Sequence, residues 1–146
     1  MRMNSAPCAG DVDGALRAAL AGDERVATAL LFGSVASGTS RAGSDVDVAI
    51  LARDAAAAQA LRGGHLDLVA ALSLATGRDV QVVLLDDVEP VLGRQVFLHA
   101  RTLVERDPAL TARCLERILG AYFDGAYHRR LMGEALDARL AARGRP

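Results

Sequence analysis

The chain has 146 residues, 51% hydrophobic and 24% charged, with a formal net charge of −1. That length fits one domain with a sizeable core, and the composition excludes a disordered chain. The near-neutral balance excludes a surface built to grip a nucleic-acid backbone, although all 17 basic residues are arginine.

Residues 1–9 read as a loose leader. Val12, Ala15, Leu16, Ala19 and Leu20 then recur at helical spacing from Asp11 to Ala21, with Gly22 as the stop. The apolar run Val26 to Phe32 predicts a buried strand. Gly33 to Ser44 is rich in Gly, Ser and Thr and predicts a loop or broken turn. Asp45 to Leu51 reads as a second strand. Asp54 can cap a helix reaching Arg62, Gly63-Gly64 interrupts it, and a further helix from His65 to Thr76 closes at Gly77. Asp79 to Leu85 is a third strand, Pro90 opens a helix over Val91 to Ala100, and Thr102 to Glu105 suits a short edge strand.

Pro108 starts a helical pattern that runs nearly to the C-terminus. Unbroken, it would stretch over roughly 55 Å at 1.5 Å per residue, so either a break at Gly120, Gly125 or Gly133 or a projection toward a partner is expected. Its lanes Leu115, Leu119, Phe123, Tyr127 and Leu110, Cys114, Ile118, Tyr122 place the two tyrosines in the core or at an interface, and leave a homo-oligomer open. The organisation is thus a leader (1–9), a globular domain (10–106) and a C-terminal helical extension (107–146) packing on the domain or on a partner.

The candidate chemistry sits where the first two strands meet. Side chains alternate on a strand, so Asp45 and Asp47 share the face opposite Val46, Val48 and Ile50. Their Cα atoms lie roughly 6.6 Å apart, and the conflict between their charges is what a hard divalent cation removes, Mg²⁺ being typically held by one or two carboxylates plus substrate phosphates. Gly33-Ser34 supplies a turn whose backbone can approach phosphate oxygens, with the Ser34 hydroxyl as a further donor. Arg41 and Ser44, in the connecting loop, are added candidates for contact with the nucleotide.

Gly33-Ser34, ten intervening residues, then Asp45-Val46-Asp47 resembles the signature of DNA-polymerase-beta-like nucleotidyltransferases, and the short chain resembles their minimal branch, the MntA-type antitoxins paired with HEPN toxins. The resemblance implies an α/β fold with a small mixed sheet, helices on one face and a nucleotide cleft on the other. It also implies Mg²⁺ on Asp45 and Asp47, ATP as substrate with its triphosphate on the Gly33-Ser34 turn, and transfer of AMP to a protein hydroxyl such as a toxin tyrosine. Two alternatives stay open: a catalytically weak nucleotide-binding antitoxin that neutralises by complex formation, and a small-molecule nucleotidyltransferase.

The third strand departs from the family pattern, which expects an acid where Gln81 stands. Asp79, Gln81 and Val83 share the open face, so either Asp79 substitutes for that acid or transfer is weak, because an amide cannot take a proton from an incoming hydroxyl. Asp86 and Asp87 read as solvated turn residues. His65 and His99 lack partners at metal-ligand spacing and read as solvated or locally bonded, and His128 reads as a surface residue. Cys8 and Cys114 lack metal or redox spacing, no apolar run matches a membrane span and the first ten residues lack a signal-peptide core, so a cytoplasmic protein off the membrane is expected.

Overall fold

In a computed structural model that describes residues 9–39 and 43–144, the run Val26–Phe32 is a strand, β1, buried along all but its last residue. It pairs antiparallel with β2, Val46–Ala52, on one side and with β4, Arg101–Glu105, on the other. Strand β3, Val80–Leu84, adds to β2 in parallel, giving a mixed sheet in the order β3-β2-β1-β4. The ladder reaches past β3 at both ends: the Asp79 carbonyl accepts from Val46 N–H at 2.8 Å and Leu85 N–H donates to Ile50 O at 2.7 Å.

Helices cover the two faces unequally. On one face α1, Ala9–Ala21, buries Val12, Leu16 and Leu20 completely, a spacing of four that keeps one helical stripe on the sheet. Beside it lie α3, Ala55–Gly63, and α4, His65–Thr76, and their Leu61 and Leu72 meet Val46, Val48 and Ile50 in a single core. Each fully buried Leu or Val contributes about 1.5–3 kcal/mol of hydrophobic stabilisation before entropy is subtracted. The predicted punctuation is present: the Asp54 carboxylate accepts Ala57 N–H at 2.7 Å, and Gly77 closes α4 in the left-handed region at φ +66°.

The other face is covered only in part. Helices α5, Pro90–His99, and α6, Pro108–Arg143, lay Val96, Cys114 and Ile118 over Leu30, Ala49 and Leu51. The expectation of helices on one face therefore holds for α1, α3 and α4, while α5 and α6 roof one end of the cleft side. Thr28 and Thr111 fix the start of α6 to β1 through a 2.6 Å hydroxyl contact, and Asp107 caps it by accepting Leu110 N–H at 3.1 Å. Arg106 donates to the carbonyls of Leu20 and Ala21 at the end of α1, and to those of Asp23 and Val26. That guanidinium sits where a helix C-terminus favours a cation.

Helix α6 does not break. Its 36 residues run about 54 Å at 1.5 Å per residue, and every residue from Leu131 to Arg143 is exposed. An interior glycine costs a helix only about 1 kcal/mol relative to alanine, and the Ala, Leu, Arg and Glu around Gly120 and Gly133 are strong helix formers. Tyr122 is half-buried, with the Arg94 guanidinium 4.8 Å from its ring centroid, and Tyr127 is exposed, so neither is a core residue. Among the described residues no helix is long and apolar enough to cross a membrane. Of the leader expected over 1–9, all but Ala9, which opens α1, lies outside the described residues, as do Cys8 and Arg41.

Candidate active site

The segment from Gly33 to Ser44, expected as a loop or broken turn, begins as a helical turn, α2, Gly33–Ser37. Glycines bracket it. Gly33 has φ +76° and lets the chain leave β1 abruptly, and Gly38, at φ +74°, ends the turn while Ser37 Oγ donates to Ser34 O at 3.2 Å. The sequence carried this signal as Gly-Ser-Val-Ala-Ser-Gly, but the surrounding Ser and Thr masked it.

Gly33 also makes room for a carboxylate. A Cβ built there would collide with Asp47, whose side chain occupies that space. Register then assembles a row across the sheet, because Asp47 pairs with Phe32 on β1 and with Gln81 on β3. Gln81 Nε2 donates to Asp45 Oδ2 at 3.1 Å, so the amide reaches along the strands and holds the outer carboxylate beside the inner one. Asp45 is exposed, Asp47 half-buried.

The electrostatics follow from that difference in cover. Burial raises the Asp47 carboxyl above its ordinary value of 3.8, and the neighbouring Asp45 charge adds to the effect. A divalent cation between the two would cancel the repulsion and offset the burial by favouring the ionised carboxylates. The donor set is two carboxylates: among the described residues no group of three or more His, Cys, Asp or Glu side chains is placed to hold a metal. Two carboxylates with the remaining positions left to water and substrate phosphates fit Mg²⁺ rather than a closed all-protein cage.

Gly33, Asp45, Asp47 and Gln81 thus converge, and Ser34, half-buried on α2, lies next to them in the chain. Asp79 takes a different position. It precedes the Val46–Val80 pair by one residue, level with Asp45 at the mouth of the sheet, and its side chain is exposed. Ser44 enters through its backbone: its carbonyl accepts from Arg78 Nη2 at 2.8 Å. Arg78 was missed in the sequence, and it anchors the residue that leads into Asp45. The only available signal was its place next to Asp79, at the head of β3.

The remaining titratable candidates stand outside this row. His65 Nε2 lies 3.0 Å from Val82 O. His99 and His128 are exposed. Asp87 is engaged by Arg62 in a two-pronged pair at 2.6 Å. Asp86 is not merely solvated, because it accepts Ala52 N–H at 3.0 Å and closes the end of β2.

A family model described as polymerase beta, nucleotidyltransferase matches residues 15–109. No curated protein matches the sequence. Among solved structures the chain is similar to one from a toxin–antitoxin complex with AMP-PNP, at a TM-score of 0.68 and 23% identity, covering 85% of this chain and 97% of that one. It is also similar to a chain of a tri-AMPylated Shewanella oneidensis HEPN toxin in complex with MNT antitoxin, at a TM-score of 0.65 and 20% identity over 88% and 98% of the two chains. A third likeness is to a chain of the toxin–antitoxin MntA-HepT, with a TM-score of 0.63 and 20% identity over 86% and 96%. At these identities the likeness is one of fold.

Proposed function

The chain belongs to the polymerase beta nucleotidyltransferase family, and from that premise we propose that it transfers AMP from ATP to a hydroxyl of a HEPN-type toxin and so acts as its antitoxin. The observation that carries this reading is the row formed by Gly33, Asp47 and Gln81, with Asp45 held beside it. Asp45 and Asp47 are the residues that would hold Mg²⁺, which when bound neutralises the phosphates and the departing pyrophosphate. Gly33 keeps the backbone of the turn close to the carboxylates, so that a phosphate chain on the turn would lie within reach of a cation they hold, and Ser34 supplies a hydroxyl donor. The acceptor oxygen attacks the α-phosphorus, the bond to the bridging oxygen breaks, pyrophosphate leaves, and the acceptor proton passes to solvent.

A second reading rests on Gln81. Its amide donates to Asp45 and cannot accept the acceptor's proton, which favours slow transfer and neutralisation by complex formation. A small-molecule acceptor has no observation in its favour. Incubating the full chain with ATP, Mg²⁺ and the toxin and then weighing the toxin separates the readings. Added AMP mass that disappears with Asp45→Asn/Asp47→Asn is the expected result. A tight complex without added mass selects the second reading and removes the first. Gln81→Asp is expected to speed transfer by about tenfold or more, since a positioned general base contributes about 10²–10⁴-fold.

A further inference from the structure

A cavity of about 870 Å³ opens at the end of β2 remote from Asp45 and Asp47, between the start of α3 and the first turns of α6. Its floor is apolar, made of Leu51, Leu110 and Cys114, with alanines of α3 beside them. Arg113 and Arg117 stand over this floor one helical turn apart, a spacing that brings two side chains on a helix to within about 5–6 Å at their Cβ atoms. Neither forms an ion pair with a carboxylate among the described residues. Arg117 Nη2 donates to the Leu85 carbonyl at 3.2 Å and to Cys114 Sγ at 3.6 Å, which fixes its guanidinium against the cavity wall while the N–H groups on its other nitrogens stay available.

The cavity's two carboxylates are already engaged. Asp54 caps α3 and meets Arg53 at 3.3 Å, and Asp86 accepts Ala52 N–H at 3.0 Å. Asp54 is paired with Arg53, whereas Asp86 keeps its charge, which Arg113 and Arg117 together outnumber, so the balance facing a ligand is cationic at one wall and apolar below. A bare inorganic anion would use only the arginines and leave most of a volume typical of small-molecule sites, about 300–1,000 Å³, unfilled. Two guanidiniums a turn apart suit one phosphate group, and the apolar floor suits a flat body joined to it.

We propose that this cavity is a second ligand site, separate from the Asp45–Asp47 cradle, that binds an organic phosphate monoester: phosphate on Arg113 and Arg117, flat body on the Leu51–Leu110 floor. The proposal does not depend on AMP transfer, and its test reads binding alone.

The full-length Asp45→Asn/Asp47→Asn chain, titrated calorimetrically with AMP at low ionic strength and without divalent cation, is expected to bind it. Arg113→Ala and Arg117→Ala are each expected to weaken that binding by about tenfold or more. Arg113 is exposed, so Arg113→Ala also serves as the variant whose folding is not at risk, checked by its melting curve. Ribose 5-phosphate and inorganic phosphate are the companion probes. Weaker binding of both than of AMP supports a floor that receives the base. Equal binding of inorganic phosphate and AMP overturns the proposal, as does an absence of AMP binding or an AMP affinity unchanged in Arg113→Ala.

Discussion

Two ends of one strand face the same way and meet opposite fates. On the outward side of β2, Asp47 is half-buried and Asp45, just before the strand, is exposed, while Ala49 and Leu51 lie beneath α5 and α6. Alternation is the same along all four residues. What differs is the roof, because α5 and α6 cover one end of this face and leave the other open. The covered end gains stability from packing; the open end retains two like charges that the fold alone leaves in conflict.

The comparison breaks first if chemistry is not confined to the open end. Asp45→Asn/Asp47→Asn is expected to lower AMP transfer by about 10³-fold or more while the chain stays folded, read by toxin mass and circular dichroism. Under the roof the expectation reverses. Leu51→Ala, at a side chain 3% exposed, should lose about 2–5 kcal/mol in denaturant unfolding. Its transfer rate should be unaffected at temperatures where it remains folded.

Gly33→Ala tests the contact between the turn and the carboxylate. The added Cβ collides with Asp47 at a backbone φ of +76°, so a loss of about 1–3 kcal/mol and a marked fall in transfer should appear together. A variant with wild-type stability and transfer would show that the close approach is unimportant.

The smallest effect concerns pH. The Asp47 carboxyl is raised, so the folded chain binds more protons than the unfolded one between 3.8 and the raised value. Its contribution is fully present below 3.8 and is lost as pH rises through the raised value. Asp47→Asn should flatten that part of the stability profile, and Mg²⁺ should raise the melting temperature of the wild type more than that of the variant.

Much of this was legible in the sequence because it depends on local chemistry. Val26 to Phe32, the Asp54 cap, the Gly77 stop and the edge strand near Thr102 follow from apolar runs and the residues that punctuate them. The Gly-Ser turn and the two aspartates were legible too, as was the shared face of Asp79 and Gln81. Their relative heights were not. Parallel register sets Gln81 beside Asp47 and Asp79 at the mouth, and register is decided by a partner strand more than 30 residues away. Arg78 stayed hidden for the same reason, since its contact with the Ser44 carbonyl spans 34 residues. Of the two alternatives for α6, a break at a glycine or an unbroken helix, the structure has the unbroken one, because glycine weakens a helix by less than its neighbours support it.

The most direct test is the AMP-transfer rate of Asp47→Asn beside its melting temperature in chelator at neutral pH. The account predicts that transfer is lost and the melting temperature is equal to or above that of the wild type, because an uncompensated charge has been removed. A variant that melts several degrees lower yet still adds AMP to the toxin would contradict it, placing Asp47 with Ala49 and Leu51 as a structural residue.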